Sequence, residues 1–500
     1  MDTPRARRFA RLILLLIGLL VLTRLAAMAL LPLMDNTEAR YGEIGRKMAE
    51  LGDWVTPWHD YGVPFWGKPP LSFWLTAGSF ELLGVNEFAA RLPHLLCALL
   101  IGAIVWRLAA PRSRGEALAA VAVLAGSVLF FVASAAVMTD AALVLGTTLA
   151  MSGFWLALHD PSPQVRRRQG WLFFLGIAIG LLAKGPVAAV LIVMPLLPWI
   201  ALSPQRVEVW RRLPWLGGLL LVAAVALPWY GLAEQRTPGF LQYFIVGEHW
   251  HRFVTPGWTG DLYGSAHRYP RGTIWLFAFG ALLPWTVLLP LAAWWWRHET
   301  PRAAASSDDL AWRRYLLLWL LMPLLFFTTA RNILWTYVLP ATPAVALLVA
   351  GWMTRKVPHV RARAWLAAGL AITLFTAVGG LVANIGSQRF ERESTAALVR
   401  VFEQQRASGQ ALVFIGRRPA SAMFYSRGKA ILAKDADDLW SHIGSRGGFF
   451  AVRAGGDAVP LGRASAASLV GHFGTFDLRY LAPADAAAAG AQGEAPAVPR

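Results

Sequence analysis

The sequence is poor in charged residues and in cysteine. Asp, Glu, Lys and Arg make up only 15% of its 500 residues, whereas about 25% is typical of soluble globular proteins. With 56% hydrophobic residues and a mean hydropathy of +0.47, this shortage excludes a water-soluble globular enzyme. The single cysteine, Cys97, excludes an intramolecular disulfide and a cysteine-based zinc cluster.

Acidic residues are also scarce, since 29 of them oppose 47 Lys and Arg residues and leave a net charge of +18. In a soluble chain such an excess would indicate nucleic acid as a partner, but in a membrane protein basic residues mark the cytoplasmic loops. We therefore predict no nucleic-acid partner. The predicted cytoplasmic segments also lack a glycine-rich phosphate-binding loop, so a nucleotide substrate is not expected.

The N-terminus predicts a first membrane span. Four arginines between positions 5 and 11 precede an apolar run over 12–33, and about 20 apolar residues suffice to cross a bilayer. A cleaved signal peptide is the alternative, because residues 12–22 have the length of its apolar region. Either interpretation places residues 34–91 outside the cytoplasm, and the first also places the N-terminus inside.

Short basic connections separate the later apolar stretches, and the positive-inside rule assigns them all to the cytoplasm. Three stretches between such connections, 118–158, 171–202 and 315–353, must therefore cross the membrane twice, with Asp140, Lys184 and Arg331 at their outer turns. Single spans at 91–109, 214–232, 272–296 and 364–385 bring the total to about eleven. The predicted fold class is thus a mostly α, polytopic membrane protein whose C-terminal segment lies outside.

The predicted domain organisation follows from this topology. Residues 1–386 form a transmembrane domain with two long outer loops, 34–90 and 234–271. From 387 to 482 the composition becomes mixed, and alternating apolar runs such as 411–415 predict a small soluble α/β domain. Residues 483–500, rich in Ala, Gly and Pro, are expected to be disordered.

The first outer loop opens with an amphipathic pattern that predicts a helix lying on the membrane surface. Asp35 is expected to cap this helix, with Glu38 three residues later, and Glu43 is expected to pair with Lys47 on a solvated face. Capping is therefore the structural alternative to a chemical role for Asp35 and Glu38. The apolar residues at helical spacing are Tyr41, Ile44, Met48 and Leu51.

Several charged residues are predicted to collect on the outer face. Lys184 lies at the turn of a hairpin whose arms of about 15 residues span roughly 22 Å, which is less than the thickness of a bilayer core, about 30 Å. Lys184 should therefore lie below the outer surface of the membrane. A cation at that depth costs roughly 2.5 to 3.5 kcal/mol and calls for an anionic partner. Lys68, in an apolar Gly-Lys-Pro-Pro turn, is either a further site cation or a lysine that reaches the lipid headgroups.

The second outer loop contains Glu248, His249, His251, Arg252 and His267. Their spacing matches no strong metal-ligand pattern, so a divalent metal is an alternative rather than our prediction. The cations Lys68, Lys184, Arg252 and Arg331 suit a phosphate, and the carboxylates Asp35, Glu38 and Asp140 suit proton acceptance. This set fits the phosphate of a membrane-borne carrier and an attacking hydroxyl.

Over residues 10–350 the chain resembles the GT-C membrane glycosyltransferases of the 4-amino-4-deoxy-L-arabinose lipid A transferase and protein O-mannosyltransferase group. The resemblance rests on motifs that occur in the family's order, among them Asp35-x-Thr-Glu-Ala-Arg-Tyr, Phe65-x-x-Lys-Pro, Ala183-Lys-Gly, Glu248-His-x-x-Arg-Phe and Thr336-Tyr. It implies a GT-C fold in a bacterial inner membrane and sugar transfer from a polyprenyl phosphate to a lipid or glycan acceptor at the periplasmic face. A protein acceptor is the alternative.

The resemblance also implies roles for individual residues. A first-loop carboxylate, Asp35 or Glu38, would be the base, and Lys68, Lys184 and Arg252 would hold the carrier phosphate. Asp140 and Tyr337 also fall on positions that line the donor cavity in the family. The further predicted site residues are Arg40 and Tyr41, as donor-binding residues, and Glu248 and His249, in the cavity.

Two departures from the family pattern bear on these roles. Thr37 occupies the position where the family has Asp, with Asp35 two residues earlier, so the sequence leaves the choice of base open. Gly67 replaces a glutamate that can help to hold a metal in the arabinose transferases, which disfavours a metal here. The predicted number of spans is smaller than in the arabinose transferases, so the sequence does not decide whether lipid A is the acceptor.

A polyprenyl-lipid flippase is the main rival from another functional class. It would place its charges near the bilayer midplane, whereas here they are predicted on one face only.

Overall fold

The computed structural model describes residues 4–35, 37–255, 258–264, 267–287, 307–385, 392–454 and 462–483. They form two compact units, Met1–Met28 with Lys47–Gly379, and Ala29–Arg46 with Gly380–Arg500. The domain boundaries at 386 and 482 stay predictions, and the expected disorder concerns residues that lie outside the described ranges from 484 onward.

The protein is a multi-pass membrane protein. Among the described residues seven helices are long and apolar enough to cross a bilayer, and Pro186–Leu202 is a shorter apolar helix. The seven candidate spans are Pro4–Leu30, Glu87–Ala109, Asp140–His159, Trp215–Arg236, Asp308–Thr328, Trp335–Lys356 and His359–Asn384.

The predicted hairpins are present as helix pairs. Pro163–Lys184 and Pro186–Leu202 meet at Gly185, and the break between Thr328 and Trp335 contains Arg331. The first arm of the 118–158 hairpin is interrupted at Ser127, and Asp140 begins its second arm. The predicted span 272–296 begins with helix Thr273–Ala281, and its residues 288–296 lie outside the described part. The count of eleven remains a prediction.

Shorter elements complete the first unit. The shorter α-helices are Leu71–Leu83, Arg114–Gly126, Val128–Ala133, Arg206–Arg212 and Arg252–Val254. The span Asp308–Thr328 belongs to the α-helix Ser307–Thr328, and the span Trp335–Lys356 ends with the α-helix Thr342–Lys356. Gln242–His251 is a π-helix, Trp285–Val287 and Trp335–Ala341 are 3₁₀ helices, and strands Trp58–Asp60 and Val63–Pro64 pair antiparallel.

Glycines bring helices Asp140–His159 and Pro163–Lys184 into close contact. A Cβ added to Gly146 would lie 2.7 Å from the Gly180 nitrogen, and one on Gly176 would lie 2.6 Å from the Gly146 oxygen. Gly176 and Gly180 form the small-xxx-small spacing with which membrane helices pack closely. This packing fixes the two helices that carry Asp140 and Lys184.

Gly176→Val is expected to lower the free energy of unfolding by about 3 kcal/mol, the upper end of overpacking costs, because backbone atoms oppose the new side chain. Thermal unfolding in detergent measures this loss. Gly102→Val in helix Glu87–Ala109 is the matched control, since nothing lies within 4 Å of a Cβ there. Equal melting temperatures for the two variants would contradict this account of the helix contact.

The second unit contains a five-stranded sheet. From one edge to the other, its strands are Ile431–Ala433, Leu412–Ile415, Gly448–Arg453, Phe476–Leu481 and Ser468–Phe473. The first three strands are parallel and the last two antiparallel. Helices Ala396–Gln405, Ala420–Tyr425 and Ala436–Ile443 complete it, with 3₁₀ turns at Gly444–Arg446 and Gly462–Ala466. The strand predicted from the apolar run 411–415 is confirmed as Leu412–Ile415.

The first-loop helix differs from its prediction. It begins at Glu38 and ends at Leu51, and the Asp35 carboxylate does not cap it but accepts hydrogen bonds from Ser421. Glu43 and Lys47 are buried instead of solvated. Glu43 pairs with Arg46 at 2.7 Å, and Lys47 Nζ donates to the His59 carbonyl at 2.9 Å. Of the predicted apolar face, Tyr41, Ile44 and Met48 are buried and Leu51 is exposed. The burial of the polar face does not follow from the pattern.

Candidate functional site

A cavity of about 200 Å³ lies in the first unit and contains most of the predicted cations. Its charged lining consists of three cations and two carboxylates, and its wall is largely aromatic and aliphatic. The polar residues that line it are Lys68, Asp140, Lys184, Glu248, His249, Arg252, Asn332 and Tyr337.

The hairpin turn at Gly185 places Lys184 in this cavity. Gly185 has a φ of +78°, which favours glycine, and a Cβ there would lie 2.6 Å from the Phe244 ring. Lys184 Nζ donates to Asp140 Oδ1 at 2.7 Å and lies 4.9 Å from the centre of the Tyr337 ring. The expected anionic partner of the recessed lysine is therefore Asp140.

Glu248 joins the other two cations. Lys68 Nζ donates to Glu248 Oε2 at 3.2 Å, and Arg252 Nη1 donates to both carboxylate oxygens at 2.8 and 3.0 Å. The Tyr243 hydroxyl adds a hydrogen bond at 3.2 Å. Glu248 belongs to the π-helix Gln242–His251, a geometry that is frequent at functional sites.

The charges around Glu248 stabilise its ionised form. Burial alone would raise the pKa of this carboxyl, but Lys68 and Arg252 outweigh burial and lower its pKa. Arg252 also lies 3.4 Å from Asp261. Carboxylates thus hold the cations of the cavity in fixed positions. The cations are therefore preorganised to bind a phosphate.

His249 connects the π-helix to the hairpin turn at Lys184 through its two ring nitrogens. One ring nitrogen lies 2.8 Å from the Phe244 carbonyl, and the other lies 3.2 Å from the Lys184 carbonyl. Burial lowers the pKa of His249, and Lys68 acts in the same direction. Burial therefore disfavours the charged form of the ring.

Acidification is expected to destabilise the protein through His249. Its folded-state pKa lies below the unfolded value of about 6.5, so its stabilising contribution is present above about pH 6.5 and is lost as the pH falls through the folded-state pKa. Unfolding of wild type and His249→Gln between pH 7.5 and 5.5 measures this. The variant should show a shallower pH dependence, whereas the exposed His251, changed to Gln, should keep the wild-type slope. Equal slopes in all three proteins would contradict the assignment.

Aromatic rings form one wall of the cavity. Phe253 stacks on Phe326 with ring centres 4.9 Å apart, and Phe327 contacts Tyr337 at 4.7 Å. Apolar surface beside a cluster of cations suits an amphiphile with an anionic head.

Seven of the twelve predicted site residues line this cavity. Arg331 is exposed and does not line the cavity, whereas its neighbour Asn332 does. The second unit contains the four remaining predicted residues, Asp35, Glu38, Arg40 and Tyr41. The Arg40 guanidinium lies 5.4 Å from the centre of the Tyr41 ring, and Glu38 is buried.

Sequence reasoning missed Tyr243, Asp261 and Asn332. The Glu248/Arg252 spacing of four residues signals an ion pair, but nothing in the sequence signals Asp261 or Tyr243 beside it. Among the described residues, no three His, Cys, Asp or Glu side chains are arranged to hold a metal ion.

Comparisons with known proteins agree with this fold. Residues 10–244 match the family model of dolichyl-phosphate-mannose-protein mannosyltransferases. The undecaprenyl phosphate-alpha-4-amino-4-deoxy-L-arabinose arabinosyl transferases of Edwardsiella ictaluri and Yersinia pestis are 32% and 31% identical over 70% of this chain. The chain spans about 60% of the length of these curated relatives.

A solved structure shows the same fold. The crystal structure of ArnT from Cupriavidus metallidurans bound to undecaprenyl phosphate matches with a TM-score of 0.74 at 18% identity, over 93% of this chain and 97% of that one. The shared motifs, the sequence similarity and the common fold together place the protein in the ArnT-like group of GT-C membrane glycosyltransferases.

Proposed function

We propose that the protein transfers a sugar from a polyprenyl phosphate carrier, such as undecaprenyl phosphate, to lipid A or another envelope acceptor. The observation that carries the proposal is the cavity in which Lys68, Lys184 and Arg252 surround space next to an aromatic wall. The names of the curated relatives supply the donor class, and the name of the matching family supports a protein acceptor as the second candidate.

The reaction is a single displacement. An acceptor hydroxyl attacks the anomeric carbon, the bond from that carbon to the phosphate oxygen breaks, and the carrier phosphate leaves with the bonding electrons. A carboxylate, Asp35 or Glu38, takes the hydroxyl proton, a step that typically contributes 10² to 10⁴ in rate. Cations replace a general acid, because the leaving phosphate needs charge stabilisation rather than a proton. The sugar product is therefore inverted at its anomeric carbon.

We also propose that the cavity opens at the periplasmic face of a bacterial inner membrane and that the N-terminus is cytoplasmic. The basic connections support this orientation. The chain has one cysteine, Cys97, and it is buried, so single cysteines introduced at exposed sites report orientation. An impermeant maleimide should label Leu262→Cys in intact spheroplasts but not Val207→Cys; the reverse pattern would invert the topology.

Mass spectrometry of a deletion strain tests the acceptor. Loss of one sugar from lipid A or an envelope glycan, restored by the wild-type gene, supports the proposal. Loss of sugar from proteins would favour the mannosyltransferase-type alternative. Unchanged envelope glycans and proteins, with polyprenyl-linked sugar retained on the cytoplasmic side, would favour a flippase.

A further inference from the structure

Segment 261–263 of the second outer loop lies beside the cation cluster of the cavity. The described residues that line the cavity include none of its three members. Each member nevertheless makes a hydrogen bond or an ion pair with Lys68, Glu248 or Arg252, or with a residue that neighbours or contacts one of them.

The Tyr263 hydroxyl fixes the turn that presents Lys68. It donates to the Pro64 carbonyl at 2.8 Å and accepts from the Trp66 N–H at 3.0 Å. Burial raises the pKa of Tyr263 to about 12, so the hydroxyl keeps the proton that it donates. One side chain therefore binds the backbone on both sides of Phe65, and Lys68 follows two residues after Trp66.

The Tyr263 ring supports the same turn. It packs against Phe65, with ring centres 4.6 Å apart. The Phe65 ring in turn lies so close to Gly67 that a Cβ added there would meet it at 2.8 Å. Because Gly67 directly precedes Lys68, Tyr263 holds the turn through its ring as well as through its hydroxyl.

Asp261 connects the segment to Arg252. Its Oδ1 accepts from the Tyr263 N–H at 3.0 Å, and its Oδ2 lies 3.4 Å from Arg252 Nη2. The Asp261 side chain is only 7% exposed, so water and salt screen this pair little. One carboxylate therefore links the position of Tyr263 to that of Arg252.

Leu262 adds a connection to the carboxylate between the two cations. Its N–H donates to the Tyr243 hydroxyl at 3.1 Å, and that hydroxyl donates to Glu248 Oε1 at 3.2 Å. Glu248 binds both Lys68 and Arg252. The segment thus contacts the surroundings of each cation and also, through Tyr243, the carboxylate that they share.

From these contacts we infer that Tyr263 and Asp261 are positioning residues, which hold two outer-loop cations in place for the carrier phosphate. The cations are Lys68 and Arg252, which are 184 positions apart in the sequence. Groups that are already ordered lose less conformational freedom when a ligand binds, so preorganisation increases affinity. The inference rests on the proposed function, because that function supplies the phosphate.

Tyr263→Phe is the first test, because it removes the hydroxyl and keeps the ring. In titrations of the full-length protein with undecaprenyl phosphate, we expect Kd to rise about 10-fold, since two hydrogen bonds that fix the turn are lost. In a Lys68→Met background the same change should alter Kd less than about twofold, because its effect depends on Lys68. Tyr61→Phe, which removes an exposed hydroxyl bound to Glu50, is the matched control and should keep the wild-type Kd.

Asp261→Asn tests the other end of the segment. The amide keeps an oxygen for the Tyr263 N–H but loses the charge beside Arg252, so Kd should rise in the wild-type background and not in Arg252→Met. An unchanged Kd in Tyr263→Phe or in Asp261→Asn would overturn the inference. An equal rise of Kd with and without the matching cation would also overturn it, since that is the result of general destabilisation.

Hydrogen–deuterium exchange tests the contact independently of ligand binding. The Trp66 amide should exchange faster in Tyr263→Phe than in wild type and at the wild-type rate in Tyr61→Phe; unchanged exchange in Tyr263→Phe would overturn the positioning role. If wild type binds undecaprenyl phosphate and the variants behave as expected, but no sugar is transferred from the donor, the proposed function fails and the positioning role stands. No binding of undecaprenyl phosphate by wild type would contradict both.

Discussion

Lys184→Met is expected to lower the turnover of a polyprenyl-phosphate-linked sugar about 100- to 1,000-fold, the typical cost of removing one preorganised group that stabilises developing charge. Lys184 lies in the cavity at a fixed position, 2.7 Å from Asp140 and over the Tyr337 ring. Its charge is needed most when the carrier phosphate leaves, so kcat should fall more than KM rises. Steady-state kinetics on the purified protein measure both.

Two further variants separate catalysis from stability. Lys184→Met leaves the Asp140 carboxylate, which is only 10% exposed, without its lysine partner, and this costs stability. The double variant with Asp140→Asn should recover the melting temperature but not the turnover. Arg211→Met, which removes an exposed cation outside the cavity, is the matched control and should keep full activity. Recovery of turnover in the double variant would contradict a phosphate-binding role for Lys184.

Glu248→Ala is expected to lower the free energy of unfolding by about 3 kcal/mol, because removing one partner of a buried ion pair leaves the other charges uncompensated. The Glu248 side chain is 4% exposed and binds both Lys68 and Arg252. The same change should raise KM for the donor, since neither cation would keep its position. Denaturant unfolding in detergent and donor kinetics measure the two effects.

Glu208→Ala is the control for the Glu248 prediction. Glu208 pairs with Arg212 at 2.7 Å, but both side chains are more than one third exposed, and exposed pairs contribute about 0 to 1 kcal/mol. A loss of stability in Glu208→Ala as large as that in Glu248→Ala would show that burial does not decide the cost. Unchanged donor KM in Glu248→Ala would show that the carboxylate does not position the cations.

The sequence predicted the membrane helices and the Lys184 turn because both follow from local patterns. Apolar runs of spanning length give the helices, and the basic connections locate the hairpins. The helix break at Lys184-Gly185-Pro186 is visible because glycine and proline mark it. The need for an anionic partner follows from the cost of burying a cation, and Asp140 fulfils it.

Contacts between distant positions could not be predicted in the same way. No periodicity connects Asp35 with Ser421, so its carboxylate was expected to cap the adjacent helix. The amphipathic pattern of Glu38–Leu51 identified an apolar face, yet hydropathy alone does not show whether protein or water covers the opposite face. The predicted solvated location of Glu43 and Lys47 was wrong for this reason.

The cation cluster was predicted in composition but not in geometry. Lys68 and Arg252 are 184 positions apart, and the carboxylate that binds both of them lies in a π-helix, which no apolar spacing indicates. Arg331 was predicted at the site because, like Asp140 and Lys184, it lies at the turn of a hairpin. The turn instead directs Asn332 to the cavity, a one-residue difference that topology cannot resolve.

The most direct test of the central claim is the fate of a polyprenyl-phosphate-linked sugar with purified protein and lipid A in proteoliposomes. We predict that mass spectrometry will detect free polyprenyl phosphate and lipid A heavier by one sugar residue, with the anomeric configuration inverted, and that Lys184→Met will form neither product at a comparable rate. Intact donor recovered after incubation with wild type, or a product of retained configuration, would contradict the account.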